Sequence, residues 1–168
     1  MIKELNVYPS KQLFKKARLC ELADNGNSDI PMVGVWKAEV LEALEDLKDT
    51  AESLKEKCAG LTCCQIWDKD EAPLSIFIVN LGNEKETRWQ EFINPVVKTS
   101  GRTVKLKEKC LSVGNVGYNT KRESNVTITY NVLGSVEPIT TKLYGSVSFL
   151  PIVLQHEYDH INGKLIFK

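Results

Sequence analysis

The segment LPIVLQHEYDHINGK holds both histidines of the chain, His156 and His160, four residues apart with Glu157 between them. On an α-helix residues at this spacing share a face, so both imidazoles can aim a nitrogen at one point while the Glu157 carboxylate projects beside it. That combination makes a divalent-metal site with a base next to it. A hydrolytic site of this kind takes three protein ligands and keeps one position for water. No third histidine exists, and the eight residues after His160 include no Cys, His, Asp or Glu, so a third ligand has to come from upstream. The residues alone leave it open between a carboxylate and one of Cys20, Cys58, Cys63, Cys64 and Cys110. They also leave open the plainer alternative of two surface histidines in a chance HExxH.

Three separated stretches narrow the choice: AGLTCCQ at 59–65, EKCLS at 108–112 and QHEYDHINGK at 155–164. In order and spelling they resemble the three signature motifs of peptide deformylases, GxGLAAxQ, EGCLS and QHExDHxxG. VYPSKQLFKKA near the start and INP at 93–95 also resemble the corresponding family text, so the likeness spans nearly the whole chain. The resemblance implies that Cys110 joins His156 and His160 as the third ligand of one divalent metal. A thiolate with two imidazoles suits Fe(II), the family's preference, or Zn(II), with Ni(II) and Co(II) as alternatives. It further implies Glu157 as the proton carrier, and the Gln65 amide with the Leu111 backbone N–H as donors to the developing oxyanion. Gly60 and Leu61 would border the substrate, with Ile152 and Val153 facing the methionine side chain. The reaction implied is hydrolysis of the N-formyl group from formyl-methionyl peptides, releasing formate. Asp159 and Arg122 are expected as supporting charges, paired with each other or through Arg122 and Glu108.

Departures from the family spelling are Cys58 for a glycine, Thr62, Cys63 and Cys64 for small residues, Lys109 for a glycine, and Gly114 for a proline. Two other functions compete: an HExxH metallopeptidase acting on ordinary peptide bonds, and a diverged deformylase-like protein that binds metal without this activity. A closed zinc site of Cys58, Cys63, Cys64 and Cys110 is a variant of the latter. Buried small core residues are the simpler account of Cys63 and Cys64.

The elements that must position these groups are legible from periodicity. Trp36, Val40, Leu44, Leu47, Ala51, Leu54 and Cys58 recur at steps of three and four, predicting a long N-terminal amphipathic helix from 36 to 58. Beyond Gly60 come short β-prone runs at 74–80, 92–101, 125–132 and 138–145, separated by turn residues. The alternation in VTITY and the LGSVE connection favour antiparallel pairing. Ser148 and Pro151 mark the start of a C-terminal helix and Gly163 its end. The expected fold is α+β: antiparallel β-sheets packed around the C-terminal HExxH helix. Residues 20–31, including Asp24, Asn25, Gly26, Asn27 and Ser28, are expected as a surface loop.

A chain of 168 residues, 42% hydrophobic, suits a single catalytic domain over 1–168. Twenty-two basic residues balance twenty-two acidic ones, so nothing in the total favours nucleic acid or an anionic membrane. No apolar run is long enough to span a bilayer or serve as a secretory signal. An odd five cysteines point to thiols or metal ligands before a disulfide framework. The resemblance to shorter family members, including phage-carried ones, makes bacterial cytoplasm the expected setting, with transient ribosome contact.

Overall fold

The computed structural model describes residues 1–23, 36–83, 86–135, 137–145 and 149–167. The amphipathic pattern after Trp36 forms helix α1, Ala38–Ser53, whose buried residues include Val40, Ala43, Leu44, Leu47 and Ala51. The apolar stripe is as expected, but the helix has 16 residues and stops short of position 58. At its end the Ser53 hydroxyl donates to the Thr50 carbonyl at 2.7 Å, and Leu54 N–H turns back to the Ala51 carbonyl. A side chain that bonds the preceding turn competes with helix continuation, so Leu54 to Lys57 leave as tight turns.

Five strands follow: β1 (Gly60–Thr62), β2 (Ile76–Asn80), β3 (Trp89–Glu108), β4 (Tyr118–Asn131) and β5 (Ile139–Tyr144). They form one antiparallel sheet in the order β1-β2-β3-β4-β5. Expected as sheets, the β-structure among the described residues is therefore a single meander. β3 and β4 run well past the predicted segments, because their distal halves pair with each other while exposing both faces in part. Register shifts between Ile93 and Val96, and between Ser100 and Thr103, bend this ribbon. Asn94 and Gly101 sit there at φ 49° and 92°.

The period of two along β2 explains the layering. Ile76 and Ile78 pack with Leu44, Leu47 and Leu61 on the α1 side. Phe77 and Val79 pack with Val153, Leu154 and Ile161 of helix α2, Leu150–Ile161, on the other side. The sheet is thus covered by one helix on each face, and the HExxH helix lies against its centre.

Pro151 stands in the first turn of α2, as predicted, while Ser148 lies outside the described residues; Phe149 occupies the N-cap position without a side-chain cap. At the far end Gly163 (φ 68°) donates to the His160 carbonyl and Lys164 N–H to that of Asp159, closing the helix as a Schellman turn. Of the surface loop predicted at 20–31, Cys20 is buried, while residues 24–31 also lie outside the described residues. No helix among them is long and apolar enough to cross a membrane.

Candidate metal centre

Two chain segments meet to build the site. β3 ends at Glu108, and Cys110 follows at the entrance to a 3-10 turn, Leu111–Val113. Helix α2 brings His156, Glu157 and His160 to the same place. Cys110, His156 and His160 each present one donor atom, and these three atoms lie within 4.8 Å of one another. Cys110 Sγ is 3.3 Å from His160 Nε2. The imidazole rings stand edge to face, their centroids 5.0 Å apart. One sulfur and two ring nitrogens converging below a cavity fit a divalent ion of the Fe(II) or Zn(II) kind.

The orientation of His156 is set from behind. Its Nδ1 lies 2.8 Å from Glu108 Oε2, so with the carboxylate accepting, Nε2 is left for the Cys110 side. Glu108 in turn accepts two bonds from Arg122, at 2.7 and 3.0 Å, and one from the Thr120 hydroxyl. The third Arg122 nitrogen reaches Asp159. Arg122 therefore pairs with both carboxylates suggested by the sequence. Burial works against the Glu108 anion, but the hydrogen bonds from His156, Arg122 and Thr120 hold its pKa down at about 2. For His156 burial favours the neutral ring, yet contacts with Cys110 and Glu108 raise its pKa to about 10. His160, with burial and the nearby His156 acting together, falls to about 3.

Glu157 is buried beside these ligands and touches β1. A Cβ placed on Gly60 would lie 2.7 Å from Glu157 Oε1, so only glycine lets the strand pass this close. Two residues on, and therefore on the same face of the strand, the Thr62 hydroxyl donates to Glu157 Oε2 at 2.6 Å. Thr62 N–H also donates to Gln65 Oε1 at 2.8 Å, and Gln65 Nε2 donates to Ser112 Oγ at 3.1 Å. One threonine thus fixes both the carboxylate and the amide. The opening segment braces this turn: Asn6 N–H bonds the Gln65 carbonyl, and Asn6 Nδ2 the carbonyls of Cys64 and Trp67. Burial raises the Glu157 pKa; the positive His156 and the Thr62 bond act in the opposite direction without cancelling it.

A cavity of about 640 Å³ opens above the site, lined by Gly60, Gln65, Cys110, Leu111, His156 and Glu157, with Ile152 and Val153 on its helical wall. His160 lies beneath, almost wholly buried. Leu61 departs from expectation: its side chain points away from the cavity into the α1-side core, because strand alternation opposes it to Gly60 and Thr62. The rival thiolate cluster is not assembled either. Cys63 belongs to the α1-side core, and the Cys58 thiol bonds the Gly60 carbonyl at 3.2 Å. Sequence reasoning missed Thr62, Ser112 and the link from Glu108 to His156; position 62, two residues from Gly60 on a strand, carried the available signal.

A sequence model of the family described as Polypeptide deformylase matches residues 2–168. The chain is 26% identical over 174 residues to a peptide deformylase of Campylobacter jejuni, covering 100% of this chain and 86% of that protein. It is 32% identical over 136 residues to one from Helicobacter pylori, covering 77% and 71% respectively. The crystal structure of a peptide deformylase from Legionella pneumophila superposes with a TM-score of 0.76 at 24% identity, covering 99% of this chain and 84% of that one, a likeness of fold. Since the family match runs almost from end to end and its three signature stretches meet around one cavity, this chain belongs to the polypeptide deformylase family, metal-dependent hydrolases that remove the N-formyl group from nascent peptides.

Proposed function

We propose that residues 1–168 act as one catalytic domain that hydrolyses the formyl group of formyl-methionyl peptides at this cavity. Cys110, His156 and His160 would hold one divalent ion, Fe(II) in first place, with Zn(II), Ni(II) or Co(II) as substitutes. When bound there, such an ion supplies Lewis acidity toward the formyl oxygen and the attacking water. Glu157 takes the proton released as water adds to the formyl carbon, then delivers it to the departing nitrogen, so that water and the formamide become formate and a free amine. Its burial suits that task, since a carboxylate with a raised pKa is the stronger base. The Gln65 amide is held with Oε1 on Thr62 N–H, so its Nε2 hydrogens are the ones offered; one serves Ser112 and the other can meet the oxyanion with the Leu111 N–H. Gly60 borders the substrate beside the base, and Ile152 and Val153 offer an apolar wall to the methionine side chain.

The observation that carries this reading is the convergence of three donor atoms within 4.8 Å directly beneath a cavity that Glu157 and Gln65 also line. Bacterial cytoplasm, of a free or a phage-infected cell, is the proposed setting, with transient ribosome contact because the substrates are nascent chains. Anaerobic purification, metal analysis and a formate-release assay on formyl-Met-Ala test it. One ion per chain with formate release is expected, and Cys110→Ala should lose both. A loaded protein that releases no formate would support the diverged metal binder, and cleavage at internal peptide bonds the metallopeptidase.

A further inference from the structure

The mouth of the cavity carries three lysines, Lys57, Lys107 and Lys109, against one exposed carboxylate, Glu56. β3 ends with Lys107 exposed and Glu108 turned inward, and Lys109 is exposed just beyond it, before the buried Cys110. Glu108 does not neutralise them, because its oxygens are committed to Arg122, Thr120 and His156. Among the described residues no carboxylate forms an ion pair with any of the three lysines. The stem of Lys107 lies over Gly117, where an added Cβ would meet its Cε at 2.6 Å.

A formylated amino terminus has no charge of its own. What a cationic mouth can sense is therefore the side chains that follow the methionine. An extended peptide advances about 3.3–3.6 Å per residue, so with the methionine side chain against Ile152 and Val153 the residues that follow it are the first able to come near these lysines. We infer that Lys57, Lys107 and Lys109 select formyl-methionyl peptides with Asp or Glu at the second or third position over those with Lys or Arg there. This rests on the deformylase reading of the site. Solvent-exposed charges act weakly and through screening ions, so the preference is modest and salt-sensitive.

The test uses the metal-loaded full chain and three amidated peptides, formyl-Met-Ala-Glu, formyl-Met-Ala-Ala and formyl-Met-Ala-Lys, each assayed for formate release. The expected order of kcat/KM is Glu, then Ala, then Lys, with the ends about three- to ten-fold apart at low salt. The gap should narrow severalfold in 250 mM salt, on the order of what a Debye length near 6 Å allows. Lys107→Glu with Lys109→Glu should invert the order, and the milder Lys107→Gln with Lys109→Gln should bring the ratio toward one; both sites are exposed, and circular dichroism checks the fold. Equal rates on all three peptides, or a preference that neither pair of substitutions moves, would overturn the inference while leaving the deformylase reading intact. Formate from none of the three would overturn both.

Discussion

His156 and His160 stand one turn apart on α2, with ring centroids separated by 5.0 Å, yet opposite means hold them. His156 backs onto a chain of charge, from Glu108 through Arg122 to Asp159. His160 is packed from behind: among the described residues nothing hydrogen-bonds its buried Nδ1, and its backbone carbonyl meets the Cys64 thiol at 3.8 Å. One flank is thus aimed by electrostatics and the other by shape. A metal motif read from spacing says where two nitrogens lie; the neighbours decide which kind of damage each can absorb.

Substitutions can break or sharpen that contrast. Glu157→Gln touches neither flank, so it should leave metal content unchanged while kcat falls by about 10²–10⁴; loss of the ion by metal analysis would show that base and ligands are not separable. Glu108→Ala strips the charged flank. It should cost about 3–5 kcal/mol in urea unfolding by leaving Arg122 and His156 short of an anion, and weaken metal affinity roughly ten- to hundred-fold in chelator competition. Leu154→Ala, on the sheet-facing side of the same helix, should cost about 2–5 kcal/mol in stability through lost packing, with metal affinity of the folded protein nearly unchanged. Equal losses of affinity in these two variants would erase the distinction. Smallest is Thr62→Val, which removes a buried donor to Glu157. A loss of about 1–3 kcal/mol is expected, with kcat reduced at unchanged KM, and Thr62→Ser should recover both.

The legible parts of this molecule are those where periodicity and chemistry coincide. Helix α2 showed itself because a first-turn Pro151, the HExxH spacing and Gly163 all agree. β2, with every residue from Ile76 to Val79 buried, read as a strand from its apolar run. The part of β3 beyond the predicted run, Arg102 to Lys107, did not, since it lacks a buried face and is held by pairing with β4 instead. β1 was too short to show a period, and that concealed both the inward turn of Leu61 and the contact of Thr62 with Glu157. Cys110 was assigned through resemblance rather than spacing, because nothing local distinguishes a ligand thiol from the four other buried cysteines.

Glu157 is enclosed by the bare Cα of Gly60 on one side and the Thr62 hydroxyl on the other. A free glutamate samples many rotamers, and fixing one costs on the order of 1–2 kcal/mol of side-chain entropy. Here that loss is settled once, as β1 docks against α2 during folding, and is not met again at each turnover. Position 60 therefore bears on the speed of the reaction through side-chain order: any residue larger than glycine must push the carboxylate into another rotamer, and a protein so altered could keep its fold while losing the readiness of its base.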